Sequence, residues 1–353
     1  MSVRAVVLAA GKGKRMNSDL PKVLFEVAGR PLVSWVVDAV TAAGIDDVTV
    51  VVGHGADRVA EVLPEGVSTA LQAEQLGTGH AVMSALEAVG DVEGDTVLVV
   101  PGDTPLFRPE SLAELLAAHG EADATVLTAR MPDPTGYGRV IRDGDRVTAI
   151  VEERDATDEQ RRIDEVAVST YAFEGAALTA ALAEIRNDNV QGEYYLTDAV
   201  GLIAAGGSVG AVPGADPDEV QGVNSLEQLA SVSAAMRSRI LTSWMAQGVW
   251  VQDPARTYVD AGVHLEPGAR LHADVHLLGA TEVAAGAEVG PSVFAVDSRI
   301  GPGSRVWYSV LRSAEIGEGA EVGPYASLRP GTVMAARSKT VSYTHLRAHE
   351  TND

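Results

Sequence analysis

The residues whose types and spacing can do chemistry begin at Leu8-Ala9-Ala10-Gly11-Lys12-Gly13-Lys14-Arg15-Met16. Glycine-rich backbone leaving an apolar strand can turn several N–H groups toward a phosphate, and Lys12, Lys14 and Arg15 add positive charge at the same place. The chemistry implied is the holding of a polyphosphate. A P-loop needs Gly-Lys followed by Ser or Thr, and the dinucleotide fingerprint needs a third glycine, so this spacing fits neither. Pro21-Lys22-Val23 places a further cation just downstream. Asp103, in Pro101-Gly102-Asp103, follows an apolar run over 96–100. A carboxylate at the carboxyl end of a sheet strand is well placed to ligate a cation beside a ligand. Asp is also a common turn residue ahead of a helix, and Pro105 and Pro109 mark such a turn.

The elements that must position these groups read as alternating strands and helices. Apolar runs over 3–10, 48–52 and 96–100 suit strands buried on both faces, and helical periodicity lies between and after them over 33–43, 59–63 and 80–89. Such alternation predicts βαβ units in a Rossmann-like α/β domain. Further strands are expected over 125–129, 139–141, 147–151 and 168–173, less regularly spaced, which predicts a mixed sheet with an inserted substrate lobe. Residues 225–247 carry helical periodicity and read as a connecting helix. Beyond it the texture changes: apolar residues recur at every sixth position at Val259, Leu265, Leu271, Leu277, Val283 and Val289. After a slip near Ala295 the step resumes at Ile300 and Val306, and again from Ile316 to Met334. Small or β-branched residues two places earlier, among them Val263, Ala269 and Val275, fit units that each form one side of a triangular coil.

Bulk properties bound the function. The 353 residues suffice for two cores. A formal charge of −22 disfavours general attraction to nucleic acid or to an anionic membrane, so an anionic ligand must be met by a local cluster of cations. The absence of cysteine excludes disulfides, thiolate metal sites and thiol nucleophiles. The apolar start is too short for a signal peptide and no run reaches transmembrane length, which makes the cytoplasm the expected location.

Taken together, residues 8–16 with Pro21 and Lys22 resemble the opening signature of the sugar-nucleotide pyrophosphorylases, with Lys14 where that family has Thr. The stretch from Leu71 to Ala81 (Leu-Gln-Ala-Glu-Gln-Leu-Gly-Thr-Gly-His-Ala) looks like the uridine segment of the bacterial bifunctional enzymes that make UDP-N-acetylglucosamine. Asp133 to Gly138, Ile150 to Glu153, Gln191 to Asp198 and Gly222 to Asn224 follow in that family's order, and the resemblance spans about residues 3–334. It implies a uridylyltransferase domain over 1–224, a helical linker over 225–247, and part of a left-handed parallel β-helix of hexapeptide repeats over 248–334. Residues 335–353 match neither the step nor the family.

What the resemblance implies for the site is specific. Leu8, Ala9, Ala10, Gly11, Lys22, Gln72, Gly77 and Thr78 would bind the nucleotide, Gln72 and the backbone of Gly77 and Thr78 reading uracil edges. Asp103 and Asn224 would hold Mg2+ between phosphates. Gly138 and Glu152 would contact N-acetylglucosamine, although Glu152 and Glu153 also suit a solvated strand end. The implied reaction is in-line attack of the sugar phosphate on the α-phosphorus of UTP, with Mg2+, Arg15 and Lys22 stabilising the charge on the phosphates. Ala167 stands where the family has Asn, so altered sugar affinity or specificity is expected. β-helices of this type associate as homotrimers and carry an acetyl-CoA site in later coils. Arg329 matches a sugar-phosphate contact of that site, but the family's continuation is missing after Met334, so acetyl transfer is expected to be absent. His345 and His349, at helical spacing but without a third ligand, are not expected to bind metal. Two alternatives stay open: a related nucleotidyltransferase for another base or sugar, and a non-catalytic β-helix scaffold.

Overall fold

A computed structural model describes residues 2–340 except Lys12 and 215–217. The side chain of Lys14 and the histidines at 345 and 349 lie outside the described residues. The chain divides into two compact units, Met1–Glu26 with Pro31–Val232, and Val27–Arg30 with Ser233–Asp353.

Chain order gives strands β1 (Val3–Leu8), a short pair β2 (Glu26–Val27) and β3 (Arg30–Pro31) of which Val27 and Arg30 count with the second unit, then, in the first unit, β4 (Asp47–Val52), β5 (Ser68–Leu71), β6 (Thr96–Pro101) and β7 (Ala124–Arg130). β8 (Gly138–Asp143), β9 (Arg146–Val151), β10 (Glu165–Glu174) and β11 (Val209–Pro213) follow. The main path runs β11-β7-β10-β6-β1-β4-β5, with β8 and β9 branching from β10. β1 is parallel to both β4 and β6, while β10 is antiparallel to β6 and β7 and so makes the sheet mixed, as the irregular spacing implied. Among the described residues the α-helices are α1 (Leu32–Ala42), α2 (Ala56–Ala60), α3 (Thr78–Val89), α4 (Pro109–His119), α5 (Gly175–Glu184), α6 (Leu196–Gly206) and α7 (Leu226–Ala246), the last running past Val232 into the residues of the second unit.

The continuous apolar runs follow from burial on both faces. Val6, Val51, Val97 and Val99 pack with residues of α3, α5 and α6, whereas Ala5, Val7, Val50 and Val100 pack with α1 and α4. Each fully buried valine contributes about 1.5–3 kcal/mol relative to exposure, which holds the strand ends in register. The helix expected over 59–63 is in fact α2, Ala56–Ala60. Pro64 disfavours helical geometry at Leu63, and Val59 is the one buried residue of the short helix.

The second unit stacks short strands into three parallel sheets of 6, 5 and 5 strands, the architecture of the parallel β-helix. Leu265, Leu271, Leu277, Val283, Val289, Ala295, Ile300, Val306, Leu311, Ile316 and Val322 point inward, each at most 3% exposed. The slip near Ala295 is not a break. Ala295 pairs with Leu277 below and Leu311 above, and the sides from Ala295 to Ile300, Val306 to Leu311 and Leu311 to Ile316 are simply one residue shorter. The ladder also passes Met334, because Lys339–Thr340 pairs with Glu321–Val322. On the outer surface of one sheet Arg270, Glu288, Arg305, Glu321 and Lys339 stand in register, with Arg305 3.3 Å from Glu288 and Lys339 3.0 Å from Glu321. No helix among the described residues is long and apolar enough to cross a membrane.

Candidate active site

The candidate residues of the first unit gather where β1, β4, β5 and β6 end. Past the end of β1, Ala9 donates its N–H to Val51 at 2.9 Å, and Ala9 and Ala10 are buried while Gly11 is exposed. Gly102 donates to Leu8 O at 2.9 Å, which brings the start of the Asp103 turn against the glycine loop. Gly13 has φ of +57° and lies against the Lys22 stem: a Cβ added there would sit 2.8 Å from Lys22 Cβ. Arg15 is exposed on a single 3-10 turn, Lys14–Met16, anchored by buried Met16. Among the described residues, no hydrogen bond or ion pair joins Arg15 to Lys22, Asp103 or Asn224.

Lys22 is the hub. Its ammonium is bonded to Asp103 Oδ2 and donates to Asn224 Oδ1 at 2.9 Å. The three residues come from three separate segments, and the Val223 N–H donates to Asp103 O at 2.9 Å, which fixes the loop carrying Asn224 beside the β6 end. The Lys22 and Asp103 side chains are only 14% and 13% exposed, so this charge pair is largely screened from water. A carboxylate and an amide oxygen converging on one cation form an oxygen donor set of the kind Mg2+ takes, with phosphates and water completing its shell. Among the described residues no group of three or more His, Asp or Glu side chains converges to hold a metal without substrate.

Gln72 follows β5 and is 3% exposed, far from a surface glutamine; its N–H donates to Val52 O at 2.8 Å. Its side-chain nitrogen donates to Gly77 O at 3.0 Å and lies 3.0 Å from His80 Nδ1. Gly77 opens α3 at φ +112°, and a Cβ there would approach Tyr194 O to 2.5 Å, so no other residue fits without displacing the 191–198 segment. Thr78 Oγ1 accepts from the Leu196 N–H at 3.0 Å, tying the same two segments together.

The sugar half assembles on β8, β10 and the end of β9. Ala167 pairs with Gly138, and a Cβ on Gly138 would meet Ile150 at 2.8 Å and Glu152 Oε1 at 3.7 Å. Glu152 accepts from Thr197 Oγ1 at 3.0 Å, so it is no solvated strand end. Burial, opposed by the Thr197 bond and reinforced by Asp198, Asp155 and Glu193, pushes its carboxyl above the usual range. Ala167 is 3% exposed and packs in the core with Val140 and Ile150. Burial and then the Asp103 charge push the Tyr137 hydroxyl up.

Comparison with known proteins decides the family. Residues 5–189 match the model of the MobA-like NTP transferase domain. The chain is 46% identical over 351 residues to the bifunctional protein GlmU of Streptomyces avermitilis, covering 97% of this chain and 73% of that protein. The GlmU protein of Caldanaerobacter subterraneus subsp. tengcongensis is 47% identical over 334 residues, covering 94% and 72%. The chain belongs to the GlmU family. The nucleotidyltransferase match of this GlmU relative takes in Arg15, Lys22, Gln72, Asp103, Gly138 and Glu152, while Asn224 lies outside it and reaches the site through Lys22. His80, Tyr137, Tyr194 and Thr197 take part in these contacts without an expected role of their own. The signal was present, since all four lie inside the motifs at 71–81, 133–138 and 191–198.

Proposed function

We propose that the first unit is a Mg2+-dependent uridylyltransferase that joins UTP to N-acetylglucosamine 1-phosphate, releasing pyrophosphate and UDP-N-acetylglucosamine for cell-wall precursors. The observation that carries this reading is Lys22 held between Asp103 and Asn224 at the strand ends, beside the glycine-rich loop. Membership of the GlmU family supports the same reading.

Two anionic substrates repel, so the work of the site is to hold the sugar phosphate in line with the α-phosphorus and to offset that repulsion. The backbone of Leu8 to Gly11 receives the triphosphate, Arg15 reaches it from an exposed position, and the Lys22 ammonium stabilises charge between the phosphates. Gln72, Gly77 and Thr78 face the uracil; Gly138 leaves room for the sugar and Glu152 accepts from its hydroxyls. Asp103 and Asn224 would hold Mg2+, which would supply positive charge to the phosphate oxygens. No covalent enzyme intermediate is needed. The reading includes a homotrimer built on the β-helix and a cytoplasmic location.

The test is pyrophosphate release from UTP and N-acetylglucosamine 1-phosphate, with Mg2+ and with chelator. Turnover that needs both substrates and the metal supports the proposal, whereas full turnover by Asp103→Ala overturns the metal assignment. Buried Ala167, which offers no amide to the sugar, favours one variant of the reading, a relaxed preference between the N-acetylated sugar and glucose 1-phosphate.

A further inference from the structure

The orientation of the Gln72 amide is settled by its neighbours. Gly77 O is a carbonyl oxygen and can only accept, so the amide atom 3.0 Å from it is the NH2 group. The same nitrogen lies 3.0 Å from His80 Nδ1 and has only hydrogens to offer. Nδ1 must therefore present its lone pair, and a neutral imidazole there carries its proton on Nε2. Both amide hydrogens are thus used within the protein, one on Gly77 and one on His80. What Gln72 has left is Oε1, an acceptor. The His80 ring lies 6.4 Å from the Tyr194 ring, on the segment that α3 already binds through Gly79 N–H to Tyr194 O at 2.8 Å.

We propose that His80 is a positioning residue that holds the Gln72 amide with its oxygen toward the base, selecting a pyrimidine whose ring nitrogen carries a hydrogen over one whose ring nitrogen is bare. Uracil has an N3–H donor and meets Oε1 with a hydrogen bond. Cytosine presents a lone pair at the same place and meets a second acceptor. Flipping the amide to suit cytosine would set Oε1 against Gly77 O, which can only accept, and would oblige His80 to move its proton from Nε2 to Nδ1. The inference rests on the uridylyl-transfer reading for the identity of the base, but the histidine tautomer does not depend on it.

The experiment compares His80→Phe and His80→Asn with the unaltered chain, measuring kcat and KM for UTP and for CTP at saturating N-acetylglucosamine 1-phosphate. His80→Phe is expected to raise KM for UTP and to lower the UTP-to-CTP ratio of kcat/KM about tenfold, the scale of one neutral hydrogen bond, with kcat for UTP little changed. His80→Asn, which can still offer an amide oxygen, is expected to recover most of the ratio. An unchanged ratio in His80→Phe, or an equal loss with both nucleotides, overturns the inference. Nitrogen-15 spectra of the ligand-free chain give a readout that needs no substrate: a bare Nδ1 with protonated Nε2 on His80 supports it, and a protonated Nδ1 overturns it. Should the unaltered chain refuse UTP, the uridylyl-transfer reading falls by itself and the tautomer decides the positioning.

Discussion

Lys22 sits between the two oxygens proposed to hold the metal, and that position makes a sharp prediction. Lys22→Met keeps the stem that lies against Gly13 but removes the ammonium from Asp103 and Asn224. Stripping one member from a buried ion pair costs about 3–5 kcal/mol, because the other charge is left unpaired. With side-chain exposures of 14% and 13%, water reaches the pair a little, so the lower end, about 3 kcal/mol, is expected. For a unit of this size that corresponds to roughly 6–12 °C in Tm. Mg2+ can then take the vacated place, and a ligand at about 100 times its Kd returns about 2.7 kcal/mol. The ligand-free variant should therefore melt well below the unaltered chain, and added Mg2+ should raise its Tm by more than it raises that of the unaltered chain. Thermal unfolding with and without Mg2+ measures both. Equal Mg2+ shifts in the two proteins would refute the idea that the ammonium and the metal share one place.

Gly77→Ala should destabilise the first unit by about 1–3 kcal/mol, since alanine is strained at this backbone angle and its Cβ would press on Tyr194 O; urea unfolding checks it, with a raised KM for UTP expected alongside. Glu152 gives a pH dependence. Its folded carboxyl titrates above the usual value, so the folded state keeps that proton longer than the unfolded chain, and the stability it carries is full at low pH and lost as pH rises through the raised value. Glu152→Gln should accordingly flatten the decline of Tm as pH rises above the ordinary carboxylate range in the ligand-free chain, and superimposable slopes would show that burial does not govern this group. Ala167→Asn should lower stability by about 1–3 kcal/mol when no sugar satisfies the buried amide, yet shift kcat/KM toward N-acetylglucosamine 1-phosphate over glucose 1-phosphate. An unaltered sugar preference would mean that position 167 does not face the sugar.

Much of the fold was legible because burial on two faces leaves a plain trace: 3–10, 48–52 and 96–100 each became a central parallel strand. β5 escaped notice because it lies at the sheet edge, where three of its four residues are exposed and leave no apolar run. α5 and α6 were missed for another reason. Their alanine-rich and glycine-rich sequences pack closely without a marked stripe of large apolar residues. In the β-helix a strict count of six concealed Leu311, since a side can lose one residue at a corner while its strand keeps the ladder. Of the candidate site, Gln72, Asp103 and Asn224 were legible as motif members. That Lys22 joins two of them, or that His80 fixes the third, depends on segments far apart in the chain or on the direction of a side chain, and spacing carries neither.

The outward charges at 270, 288, 305, 321 and 339 give the β-helix a parity. The turns carrying Glu288, Arg305 and Glu321 each meet the opposite sign above and below, so lifting out the turn that carries Glu288 would set Arg270 against Arg305, while removing that turn together with the next would restore opposite neighbours, Arg270 against Glu321. Turns that look interchangeable by their apolar residues are therefore odd or even by their charge, and shortening this solenoid is electrostatically easier by two than by one.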